Sequence, residues 1–419
     1  MTKRLALSLF LVAGICLGGI VAFAQDSRQL PPDYLLTAHP RYMVMPAPAK
    51  AAAAIRSNAN GIPGVDSVTN WNGSFQTPGF DPNGKPKDSW IYNMVGNPPA
   101  KGGTTRINAP VVPVALDLLN PDGTVFLHYD PTPFILPTLQ SPVFENSTYT
   151  SSPAPTQFAD AVQRAEFWNS MAPDWHTMLL GSLKQVRTMQ VPAAYYYYAL
   201  KSNGECCLFV LVDGNEFVNL FFPTVSTDTT TPIGAAENAG DITTKDISTF
   251  LFPNTYLYLN GNPNDCCVLG FHSFDYEPGD ATNGNKSRFY VMNYSAWISA
   301  GLFGGGFTDV TALSHEIAET FNDPFVVFDG QHNLTPWWLS PNGNCQDDLE
   351  VGDVIEGLPH DVYPVKMSNG ATYHPQNVAL LPWFEFQYPS TAIDGAYSYP
   401  DEATVPNLSP IELPGCPIS

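Results

Sequence analysis

Residues 308–324 read TDVTALSHEIAETFNDP, and the rest of the chain is best understood from this stretch. Val310, Leu313, Ile317 and Phe321 recur at three- and four-residue intervals, which places them on one face of an α-helix. Thr308 or Asp309 offers a side-chain oxygen to cap the free N–H groups of the first turn. Asn322-Asp323-Pro324 stops the helix, because proline cannot continue it. Four residues turn a helix through about 400°, so His315 and Glu319 project one above the other, opposite much of the apolar stripe. Glu316 sits about 100° further round the axis than His315.

Outward from this helix the sequence turns to short apolar runs separated by turn residues. Ser89 to Val95, Ala109 to Leu118, Thr124 to His128, Tyr195 to Leu200, Leu208 to Val212, Phe217 to Phe222, Thr255 to Leu259, Cys266 to His272 and Phe289 to Trp297 all read as strands. Asp213-Gly214-Asn215 joins two of them as a hairpin turn, since Gly and Asn accept positive φ. A second helix follows Thr156, with Phe158, Val162, Ala165 and Trp168 on one stripe. Strands and helices do not alternate regularly enough for a doubly wound sheet. The expected fold is therefore α+β, a mixed, strand-rich sheet packed with the helix that carries His315.

Lys3 and Arg4, an apolar run from Leu5 to Val21 and Ala22-Phe23-Ala24 have the three parts of a signal peptide over residues 1–24. Residues 25–65 are rich in Pro and Ala and read as a leader or linker, or a short pro-segment; residues 66–419 read as one large domain. No later stretch is long and apolar enough to span a bilayer, so a secreted or periplasmic protein is expected. The 419 residues carry 18 Lys+Arg against 39 Asp+Glu, a formal charge of −21. That balance argues against nucleic acid as a partner, because phosphate is bound by clustered basic residues. Six cysteines follow the leader: Cys206, Cys207, Cys266, Cys267, Cys345 and Cys416. In an exported chain an even number reads as disulfides. Bonds between the two adjacent pairs, or from them to Cys345 and Cys416, are expected in preference to bonds within a pair.

The order His315-Glu316-x-x-Glu319 resembles the zincin metallopeptidases, whose helix carries His-Glu-x-x-His. The resemblance covers about a dozen residues, and the second histidine of the motif is replaced by Glu319. It implies a zincin-like fold, a metal held by His315 and Glu319, and Glu316 as the general base for hydrolysis of extracellular peptides or proteins. Glu350 or Asp353, in the acidic loop 342–353, supplies the third ligand on this reading, and the run from the helix through Asn322-Asp323-Pro324 and Trp337-Trp338 to that loop is also similar to a group of poorly characterised secreted proteins. Zinc is the first expectation; three carboxylates beside one imidazole could also suit calcium or manganese.

Other readings stay open at this level. His272, at a strand end, is a further candidate ligand or a satisfied strand-end histidine. The helix could hold a structural ion in a non-catalytic binding or surface protein. Glu316 and Glu350 could also act as a metal-free acid pair. There is no Gly-x-Ser-x-Gly elbow to support an α/β serine hydrolase.

Overall fold

The computed structural model describes residues 26–42, 65–76, 89–304, 306–326, 338–346 and 349–408. The expected signal peptide and Cys416 lie outside these residues, as does the side chain of Cys345. No helix among the described residues is long and apolar enough to cross a membrane.

The fold mixes α and β structure around one large, mostly parallel sheet. Its spine is β4 (Thr104–Leu119), which pairs in parallel with β6 (His176–Leu183) along its first half and with β7 (Arg187–Val191) along its second. Pro113, which has no N–H to donate, falls at the handover between those partners. On the other side β4 meets β10 (Ser248–Pro253) in parallel and β5 (Val125–Tyr129) in antiparallel register. β10 then pairs with β14 (Ser287–Trp297), which is flanked by β1 (Val65–Asp66) and antiparallel β13 (Gly270–Glu277).

Alternation along these strands feeds two cores. Ile107, Ala109 and Val111 of β4 enter one, and Val112, Val114, Leu116 and Leu118 enter the other. Both faces are covered, which is why the strand reads as a continuous apolar run. The first face carries α2 (Phe158–Glu166) and α5 (Thr311–Asn322), following α1 (Thr132–Leu139) in the chain. The second carries α3 (Gly214–Phe221) and α4 (Pro232–Asn238), and adjoins a four-stranded sheet ordered β12 (Cys266–Val268), β11 (Thr255–Tyr258), β9 (Phe209–Asp213) and β8 (Tyr196–Ala199).

Several local expectations are corrected. Asp213-Gly214-Asn215 is no hairpin turn: Asp213 caps α3 by accepting from the N–H groups of Asn215 and Glu216, at 3.0 and 3.2 Å. Phe217 and Phe221 then fall one helical turn apart and are both buried. The run from Cys266 to His272 is two strands, with Leu269 crossing from the small sheet to the large one. The N-cap of α5 is Val310, and neither Thr308 nor Asp309 caps it; Asp309 Oδ1 instead accepts from the backbone of Val310 and His374. Cys206 bonds to Cys207 and Cys266 to Cys267, each across a cis peptide. Bonds between the pairs are out of reach. Cys207 leads into β9 beside the start of β11, whereas Cys266 faces Tyr258 at its end, about 10 Å further on.

Residues 26–42, within the stretch read as a leader or linker, pack against the body. Arg28 and Leu30 bond the β8 edge through Tyr198, and residues 39–41 bond the β12 edge through Cys267 and Leu269. Leu35 is fully buried between these two contacts. This strap delivers Tyr42 to His315 of α5.

Candidate metal centre

α5 has the expected apolar stripe with a polar face opposite it, and all twelve of its residues are buried. Leu313, Ile317 and Phe321 enter the first core, and the polar face is sealed against β13, the strap and the loop 349–353. Buried charges need partners, and here they find one another.

β13 supplies the facing side chain. Phe274 packs into the core that holds α5, so strand alternation turns Gly270 and His272 toward the same helix and Phe271 away. His272 Nδ1 lies 3.5 Å from Glu316, 3.4 Å from Glu319 and 3.8 Å from Glu350, while its Nε2 stands 3.1 Å from the carbonyl of Asp323. His315 Nε2 lies 2.9 Å from Glu319 and 3.4 Å from Asp353. Glu319 Oε1 accepts from the N–H groups of Gly352 and Asp353, at 3.0 and 3.2 Å, and this pins the acidic loop to the helix. Gln376 holds the loop from behind by donating to the Gly352 carbonyl.

The structure therefore brings His315, Glu316, Glu319, Glu350 and Asp353 into one cluster with His272. Two overlapping groups have the spacing needed to hold a metal ion: His272, Glu316 and Glu319, all buried, and His315, Glu319 and Asp353. The donor set of imidazole and carboxylate is chemically suited to one. Both ring nitrogens of His315 and both carboxylate oxygens of Glu316 are buried without a hydrogen bond, as expected of groups arranged around an ion. Side chains at two positions would spoil this cradle. A Cβ on Gly352 would overlap the His315 ring, and one on Gly270 would overlap the Glu316 carboxylate.

Burial and charge divide the carboxylates. Burial, only partly offset by His272 and His315, pushes the Glu316 acid up to about 7. Glu319 is equally buried, yet the two histidines more than overcome burial and hold its carboxyl well below the ordinary range. Burial opposes the charge of His272, but the carboxylates of Glu316 and Glu319 beside it raise it to about 10.

Two neighbours escaped the sequence reading. Tyr42 lies in a stretch without periodicity, and it reaches His315 only through the long-range pairing of residues 39–41 with β12. Glu356 is pushed up to about 9 by burial and by Asp353, and nothing in its local sequence distinguishes it from other loop acids. No protein-family model matches the chain, and no curated protein or solved structure matches it.

Proposed function

We propose that the protein is a secreted metal-dependent hydrolase acting on extracellular peptides, with a zincin-like division of labour along α5. The observation that carries this reading is the grouping of His315 and Glu319 of the helix with Asp353 of the facing loop at a spacing that could hold a metal ion. His315, Glu319 and Asp353 would hold the metal, with zinc the first choice. Such an ion polarises the scissile carbonyl and acidifies water. Glu316 stands next to these donors with its proton affinity raised to about 7, suited to accept a proton from the attacking water and return it to the leaving amine. The two Glu319–loop hydrogen bonds keep that carboxylate facing His315.

A structural ion is the second reading, and one observation favours it. Of the clustered donors only Asp353 has appreciable exposure, at 17% of its side chain. The deciding experiment compares metal content and hydrolysis of a mixed peptide library for the wild type and Glu316→Gln. The catalytic reading expects retained metal and a loss of about 10²-fold or more in turnover. A wild type that holds its metal and cleaves nothing supports the structural ion.

A further inference from the structure

His272 was not required as a ligand in the preceding scheme, yet it is presented as one. Its Nε2 stands 3.1 Å from the Asp323 carbonyl, where an Nε2–H can donate, and this leaves Nδ1 as the ring atom that faces Glu316 and Glu319. A ligating histidine is ordinarily held in this way through its second nitrogen. Glu316, fully buried and without a hydrogen bond at either oxygen, completes the position with the Glu319 oxygen that also faces His315. Donors around a single small cation stand about 3 to 3.5 Å apart when each lies about 2.0 to 2.2 Å from it. The imidazole–carboxylate separations in both groups fall close to that spacing, from 2.9 to 3.5 Å.

We infer that the centre takes two cations bridged by Glu319, the second held by His272, Glu316 and Glu319. This inference rests on the metal-dependent reading and adds a control to it. The second cation occupies the carboxylate that serves as general base, so the centre hydrolyses with one position filled and stops when both are filled. Gly270 keeps the space for it, since any side chain there would displace the Glu316 carboxylate.

The test is a manganese titration of the metal-free full chain, with bound ion counted by equilibrium dialysis and followed by electron paramagnetic resonance. Two equivalents are expected in the wild type, the second bringing the broadened signal of two coupled ions. His272→Gln and His315→Gln should each bind one equivalent without coupling, with circular dichroism confirming that each variant is folded. A single equivalent in the wild type, kept in His272→Gln and lost in His315→Gln, overturns the second position and leaves the metal-dependent reading standing. A single equivalent lost in both variants also overturns it, because it means one ion shared by both histidines. A wild type that binds neither manganese nor zinc overturns both.

Discussion

The ring of Tyr42 lies flat on the imidazole of His315, with centroids 3.3 Å apart and planes 14° from parallel. His315 Nδ1 has no hydrogen-bond partner, so the ring lacks the polar anchor that usually orients a metal ligand. Packing replaces that anchor. Tyr42 covers one side of the ring, and Gly352 lies close enough that even a Cβ would collide with it. Tyr42→Ala should therefore weaken metal binding about tenfold or more, within the range seen when outer-shell partners are removed. Tyr42→Phe keeps the stack and should keep the affinity. Competition against a chromophoric chelator measures both, and equal affinities for wild type and Tyr42→Ala would show that the stack does not position His315.

Gly352→Ala tests the opposite side of the same ring. The added methyl meets the His315 imidazole, and the loop is held in place by Glu319 and Gln376, so neither partner can easily move away. Overpacking of this kind costs about 1 to 3 kcal/mol. A shift of the urea midpoint by that amount is expected, together with weaker metal binding. Unchanged stability would mean that the loop yields more readily than its hydrogen bonds suggest.

The helix and its ligand candidates were legible because they depend on short-range geometry. His315 and Glu319 are separated by one helical turn, and the acids at Glu350 and Asp353 lie in a loop that returns to the same helix. His272 was visible as a strand-end histidine, but its direction depends on which face of β13 meets α5, and that is decided by Phe274 in the core. Tyr42 was not legible at all. Its placement follows from the pairing of the strap with β12, residues more than two hundred positions away.

Asp213 shows how one short motif can serve two local structures. Asp-Gly-Asn fits a hairpin turn and a helix start equally well, and burial of Phe217 and Phe221 on one helical face settles the matter. Asp213→Ala removes the acceptor for two N–H groups at the start of α3 and should cost about 1 kcal/mol. Asp213→Asn, which keeps an acceptor oxygen, should recover most of that loss in a urea titration. Equal losses in the two variants would assign the effect to charge and not to capping.

Glu166 makes stability depend on pH where α2 meets the end of α5. Its Oε1 accepts from Asn322 Nδ2 at 3.0 Å and from the Leu381 N–H at 3.3 Å, tying α2 to the end of α5, while its Oε2 is buried without a partner. Burial outweighs both hydrogen bonds and pushes the acid up to about 8, against an ordinary value of 4.5. Between those values the folded chain keeps a proton that the unfolded chain has released. Stability from this group is therefore greatest at or below about pH 4.5 and is lost as the pH rises toward 8. Glu166→Gln retains an acceptor oxygen for Asn322 and Leu381 but never ionises. It should match the wild type at the acid end and gain on it by up to about 1.4 kcal/mol for each pH unit climbed. Urea midpoints at the two ends of that range decide the point, and an advantage that does not change with pH would show that Glu166 titrates alike in both states.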